Sequence, residues 1–543
     1  MKKNIFLAAI AALSLTACVG DLNQTPEADN VVDNVYENPT YRKSALAKIY
    51  GGFTLVGQGG AGSSDIDVSD AGASEFLRAW WSIQTVSTDE CKCVWGDSWV
   101  AEIGGNAWSA VKNDAIYATY TRGMMMVAFA NDFLRNTDDS DAEVAIERAE
   151  VRFLRAYAYW VLLDCFGNPP FVVDTDPFGT YKPIQTNQAD LYNWLKAELT
   201  ELTSDASALK APHTQVYPRV DKGAAYGLLA RLCLNHKTYL GAEDKAHYAT
   251  ARDAAEKVIA AYQLADNYKA LFMGDNGENP DALKEIVYAS CYDANKTQSY
   301  GGTSFLMLAG KGQQYALGID GNWNGLVTNS EAVERMIGKA AVDAAKTRSG
   351  DAAGDDENVF TAIDARALVS LSDCDDKEMD TKNFANGWHV VKFNNNRFLD
   401  PATDYSKTEK FSSVDFPMIR AAEMYLVYAE AQARIDGGQT SDAKAVDCIK
   451  ALQTRAGMQN PTVSMTVNLD QIFDEISREL FWEGQRRTTL IRYDRYSSAS
   501  YLWPFKGGVK NGQGFAKYLE LFPLPSDDLL ANENLSQNEG YIE

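Results

Sequence analysis

The chain has 543 residues, 46% of them hydrophobic, which is length enough for a large core built in two or three layers. Its 74 acidic against 51 basic side chains leave a formal charge of −23, which excludes the Lys/Arg footprint that nucleic acid demands and disfavours anionic lipid headgroups. Its histidines (His213, His236, His247, His389) never stand at metal-ligand spacing, so zinc chemistry of the HExxH kind is absent.

In chain order, Lys2-Lys3 and the apolar run Ile5 to Leu15 form a targeting segment too short for a permanent span. It ends in Leu15-Thr16-Ala17-Cys18, which resembles a bacterial lipobox. On that reading residues 1–17 are a signal peptide, Cys18 becomes the acylated N-terminus, and the polar residues 18–38 tether a body spanning 39–543. Buried acyl chains contribute about 0.8 kcal/mol per methylene, and more than one chain makes such an anchor stable. The seven remaining cysteines (Cys91, Cys93, Cys165, Cys233, Cys291, Cys374, Cys448) are odd in number and scattered, and read as structural. Cys91-Lys92-Cys93 is too closely spaced for a tetrahedral metal half-site.

Tyr41 to Tyr50 reads as the first helix of the body. Gly57-Gln58-Gly59-Gly60-Ala61-Gly62 fits the dinucleotide pattern but lacks the amphipathic helix behind it, so it is taken as a loop. Between Arg78 and Trp108 lie five of the eleven tryptophans: Trp80, Trp81, Trp95, Trp99 and Trp108. Flanking polarity and Gly104-Gly105 predict that much of this stretch is loop, and binding residues gather on loops that a rigid scaffold presents. A tryptophan there is either core or an exposed stacking platform.

Helical periodicity then covers Glu143–Cys165, stopped by Gly167 and Pro169-Pro170, and recurs over Asn187–Leu209, Val220–His236 and Ala246–Tyr262. It returns over Met418–Ile435, Ser441–Gly457 and Leu469–Arg495. Alanine-lined helix pairs of this length resemble tetratricopeptide units. Residues 271–415 are rich in Gly, Asn and Asp, with short strands such as Ile286–Ser290 and Trp388–Phe393. The fold class expected is mainly α: a tetratricopeptide-like scaffold over about 39–270 and 416–543, carrying an irregular loop-rich lobe over about 271–415.

Two constellations invite chemistry. Asp320, Asn322, Asn324 and Glu331, with Gly325 at the turn, satisfy the EF-hand spacing. Only two carboxylates are offered and the entering helix is glycine-rich, so a plain turn presenting Trp323 is the preferred reading and a weak calcium site the alternative. Glu475, Glu479 and Glu483 fall at i, i+4, i+8 with Arg478, Arg486 and Arg487 beside them. Interleaved carboxylates and arginines on a helix read as an ion-pair network rather than as a glycosidase pair. Neither a nucleophile elbow nor a Walker loop occurs.

Several blocks together resemble the SusD/RagB family of outer-membrane lipoproteins. They are Arg148 to Trp160 followed by Gly167-Asn168-Pro169-Pro170, Asp415 to Ala431, Arg478 to Arg487, and Phe522 to Pro525 with Ser536 to Tyr541. The resemblance spans the chain and implies a non-catalytic, cofactor-free glycan binder that serves a TonB-dependent (SusC-like) transporter. Arg78, Thr88-Asp89-Glu90-Cys91 with Trp95, Tyr300-Gly301-Gly302 and Trp323 stand at the spacing of the family's starch-binding founding member. By that likeness Trp95, Tyr300 and Trp323 form an aromatic arc for an α-glucan and Arg78 donates to sugar hydroxyls. Where the pattern has a second tryptophan and an asparagine, this chain has Cys93 and Ser98, so hydroxyl contacts fall to Ser98 or Asp97. Acidic residues linked there with calcium fall at Gly277 and Ser413, leaving only Asp415, and no calcium site is carried over. The alternatives are the same role for another glycan, peptide capture, or a lipid-anchored glycosidase.

Overall fold

The computed structural model describes residues 32–177, 179, 181–312, 316–347, 356–371 and 387–541; the leader, Cys18 and Cys374 lie outside them. α1 (Val32–Glu37) and α2 (Pro39–Gly51) come first, and Asn38 caps α2 by accepting from the Thr40 and Tyr41 amides. Tyr36 packs edge-on against Phe133 at 5.7 Å and donates to Asp132 at 2.6 Å. Packed structure therefore begins ahead of residue 39, within the stretch expected to be tether.

α3 (Phe76–Trp81) runs into a π-helical turn, Ser82–Val86, followed by β1 (Lys92–Cys93) and α4 (Ser98–Gly104). Helix frames the tryptophan stretch on both sides, against the expectation of a mostly open loop. Trp80, Trp81, Trp99 and Trp108 are buried, and Trp95 alone of the five is partly exposed. α5 (Asp114–Arg135) escaped the periodicity because Thr119, Arg122 and Asn131 interrupt its buried face. α6 (Ala142–Phe166), α7 (Gln188–Thr203), α8 (Lys222–Leu234) and α9 (Lys245–Ile259) then stack, each on the one before.

The lobe follows: β2 (Ile286–Ser290), α10 (Gly302–Gly310), β3 (Leu326–Val327), α11 (Ser330–Ile337), α12 (Lys339–Thr347), β4 (Val369–Ser370) and β5 (His389–Val390). It holds more helix than its composition suggested. The chain returns as β6 (Phe416–Arg420), paired antiparallel with β2 so that Arg420 lies opposite Ile286. α13 (Ala421–Ile435) packs on α9 and resumes the stack; α14 (Ala443–Arg455), α15 (Leu469–Glu479) and α16 (Arg486–Arg492) complete it. The helix expected over Leu469–Arg495 thus breaks in two, and Glu483 lies in the turn between, where Trp482 and Gly484 take φ of +63° and +70°. Among the described residues no helix is long and apolar enough to cross a membrane, and the six described cysteines are all free.

The glutamates of this break form a buried ionic core. Arg420 donates to Glu483 at 2.7 Å, to Glu479 at 2.6 Å and to Glu285 at 2.7 Å. Arg366 of the lobe reaches Glu475 at 2.5 Å and Asp364 at 2.7 Å, while Lys392 reaches Glu483 at 2.6 Å. Arg455 closes the cluster on Glu285 and Glu479. The network joins lobe and scaffold through charges that have lost their water, so its integrity depends on every partner being present. Arg420→Met should lower the free energy of unfolding by about 3–5 kcal/mol, the cost of leaving buried carboxylates unpaired. Denaturant titration reads this, and an unchanged midpoint would refute it.

Candidate functional site

Backbone pairing places the site. β1 and β3 run antiparallel with Lys92 opposite Val327 and Cys93 opposite Leu326, and the Val94 amide donates to the Gly325 carbonyl at 2.8 Å. This register sets Trp95 beside the turn that carries Trp323, and the Trp95 indole N–H donates to the Asn324 carbonyl at 2.8 Å. The amides of Trp323 and Asn324 both donate to the Leu308 carbonyl in α10, at 2.7 and 2.9 Å. Tyr300 stands two residues before that helix begins. All three rings are therefore cross-tied through one short helix and one two-residue ladder.

Trp95 and Trp323 are half-buried, and Tyr300 is 41% exposed. The Tyr300 and Trp323 centroids lie 6.1 Å apart with planes inclined by 47°. Phe411 packs against Tyr300 at 5.1 Å, and Phe305 packs against Trp95 at 5.9 Å. The Tyr300 and Trp323 rings are thus neither parallel nor coplanar, and both keep part of their surface in solvent. The turn residues Asp320, Gly321 and Asn322 and the segment Gly96-Asp97-Ser98 are exposed beside them.

Arg78 is placed with the rings but differs from the open hydroxyl donor expected. It is only 7% exposed, and one guanidinium nitrogen donates to the Tyr300 carbonyl at 3.2 Å and pairs with Asp70 at 2.9 Å. Its plane also lies 4.6 Å from the Phe305 centroid. Burial lowers its pKa, and Asp70 opposes that shift. The exposed end of the pair is the Asp70 carboxylate, a hydroxyl acceptor that sequence reasoning passed over along with Phe305 and Phe411. Phe305 and Phe411 gain their place through contacts across the chain, whereas Asp70 is held locally, by Arg78 and the Gly72 amide.

Ser98 is exposed at the start of α4, and Asp97 at its N-cap makes no side-chain capping bond. Cys93 is buried in β1, and burial pushes its thiol up to about 12. The loop at Gly57–Gly59 instead lines a cavity of about 420 Å³ with Lys48, Arg122 and Phe129, and none of the three rings borders it.

Among the described residues no group of three or more His, Cys, Asp or Glu is arranged to hold a metal. Within the EF-hand match, Glu331 lies in the first turn of α11, and Asn324 and Gly325 take φ of +53° and +109°. At the other calcium-associated position, the Asp415 carboxylate accepts from the Tyr217 hydroxyl at 2.5 Å and from the Tyr292 amide at 2.7 Å. A Cβ on Gly277 would come within 2.5 Å of its Oδ2, and the Ser413 hydroxyl accepts from the Ala294 amide at 3.2 Å. Of these three residues only Asp415 brings a carboxylate, and each of its oxygens already accepts a hydrogen bond from the protein.

Two outcomes follow. Gly325 sits at positive φ with the place of a Cβ only 2.1 Å from the Trp95 indole nitrogen, so Gly325→Ala must displace that ring. Its near-ultraviolet circular dichroism should change while the far-ultraviolet spectrum does not; an unaltered near-ultraviolet spectrum counts against a fixed Trp95. Burial pushes Asp415 up to about 6, above the roughly 3.9 of an unfolded chain. Its contribution to stability is thus full below the unfolded pKa and lost as pH rises through about 6. The Tm difference between wild type and Asp415→Asn should change across that window and flatten above it, whereas a pH-independent difference would exclude the linkage.

Two family models match. The SusD family covers residues 284–541, and a second, described as starch-binding and associating with the outer membrane, covers residues 29–234. The starch-binding protein SusD of Bacteroides thetaiotaomicron is 31% identical, with 99% of each chain covered. SusD-like protein P25 of Formosa agariphila is 22% identical over 76% of this chain and 77% of its own. In fold, a SusD-like carbohydrate-binding protein of Bacteroides fragilis superposes with a TM-score of 0.69 at 18% identity, covering 92% of this chain and all of its own. Surface glycan-binding protein A of B. thetaiotaomicron, solved with laminarihexaose, gives 0.67 at 19% identity, with 92% of this chain and 99% of its own covered. The chain belongs to the SusD family.

Proposed function

We propose that this protein is a non-catalytic, surface-exposed outer-membrane lipoprotein that binds starch and malto-oligosaccharides and passes them to a SusC-like TonB-dependent transporter. The observation that carries the reading is the clustering of Trp95, Tyr300 and Trp323: a hydrogen bond ties Trp95 to the turn of Trp323, and the Tyr300 and Trp323 rings, 6.1 Å apart and inclined by 47°, are partly exposed. A helical α-glucan offers a curved C–H face, and pre-set rings meet it at little cost in side-chain entropy. Asp70, Asp97 and Ser98 stand at the rim as hydroxyl partners, with Arg78 fixing Asp70 from beneath. The starch-binding relative at 31% identity supports the same ligand class. An acylated Cys18, outside the described residues, would supply the anchor. Many tethered copies on one polymer then gain by effective concentration, so modest affinity per site suffices.

Affinity electrophoresis against a panel of polysaccharides tests the reading. Amylopectin should retard the wild type, and Trp95→Ala, Tyr300→Ala and Trp323→Ala should each weaken binding by about 1–3 kcal/mol, the range for removing one stacked ring. Retardation by a different glycan alone would reassign the ligand. Steady release of new reducing ends from starch would overturn the non-catalytic assignment.

A further inference from the structure

One carboxylate gathers donors from three separate parts of the chain. Glu75 is fully buried immediately ahead of α3. Its Oε1 accepts from the Tyr292 hydroxyl at 2.6 Å. Its Oε2 accepts from the Arg78 amide at 2.7 Å and from the Gly302 amide at 2.8 Å. Arg78 is the residue whose guanidinium holds the Tyr300 carbonyl, Tyr292 follows β2, and Gly302 opens α10 just after Tyr300-Gly301. The fit is close, since a Cβ on Gly301 would lie 2.4 Å from the Glu75 Cβ.

Tyr300 is the most exposed of the three rings, and its backbone is fixed from both sides by groups that meet at Glu75. We propose that Glu75 is a positioning residue of the aromatic site: it touches no ligand, but it sets where the Tyr300 ring stands against Trp323 and Trp95. The inference rests on reading those rings as the glycan platform. A carboxylate suits the task because it only accepts, and all three neighbours donate. An amide in its place turns one oxygen into an NH₂ facing a donor, so part of the clamp must open.

A double-mutant cycle separates this role from a plain contribution to the core. Glu75→Gln and Tyr292→Phe are each made in the wild type and in the Tyr300→Ala background. Thermal melts establish folding, and gels of whichever polysaccharide retards the wild type give dissociation constants. Each change should weaken binding about tenfold in the wild type, the scale of one charge-assisted hydrogen bond, and less than about twofold once the Tyr300 ring is gone. An equal loss in both backgrounds, or no loss in either, overturns the proposal. Tyr292→Phe decides the matter alone if Glu75→Gln does not fold. A wild type that binds no glycan refutes the proposed function itself, a result distinct from either outcome of the cycle.

Discussion

Asp89 is the point at which the site is attached to the rest of the molecule. Arg486 grips it with two parallel bonds of 2.7 Å, Arg335 adds a third contact at 3.0 Å, and the Tyr501 hydroxyl donates at 2.6 Å. Arg486 belongs to the scaffold and Arg335 to the lobe, so one carboxylate joins both to the segment that leads to Trp95. Burial opposes its charge, but Arg486 and Arg335 outweigh that and hold it well below the usual carboxylate range. Next to it, Glu90 accepts from the Trp482 backbone amide at 3.0 Å, and its carbonyl takes the Trp482 indole N–H at 3.0 Å. The broken helix between α15 and α16 exists to make these contacts, since a continuous helix would have used that amide internally.

The same economy of long-range ties runs through the lobe. Its strands are two residues long in three of the four lobe strands, too short to be stable by themselves, and the ionic core around Arg420 and Glu479 supplies the missing attachment. Buried charge is a poor source of net stability but a strict selector of arrangement, because every misplacement leaves an ion unpaired. A cluster of rings drawn from distant segments needs that strictness.

The positions read from the sequence as departing from the family pattern lie in different settings. Cys93 is buried beneath the site, so the substitution changes core packing under Trp95. Ser98 is at the surface, so the change there alters the polar rim, where Asp70 and Asp97 offer carboxylates. The Asp415 carboxylate accepts from a tyrosine hydroxyl and a backbone amide, and burial raises its pKa to about 6.

What the sequence determined by itself was the scaffold: 3.6-residue periodicity, with the stop at Gly167 behind α6, declares α6 and α7 because those signals are local. It also singled out Trp95, Tyr300 and Trp323, through a likeness that reaches across the whole chain. Where local signals conflict with distant partners the reading failed. α5 hides its buried face behind Arg122 and Asn131, whose partners, among them Val56, Asp65, Ser74, Arg155 and Val172, lie outside the helix. The helix at 469–495 breaks because Glu90 captures the Trp482 amide, and Arg78 turns inward because Asp70 and the Tyr300 carbonyl take its charge. Only the tertiary structure could decide these, since, the nearby Asp70–Arg78 pair aside, each hydrogen bond joins residues tens to hundreds of positions apart and leaves no period in the chain.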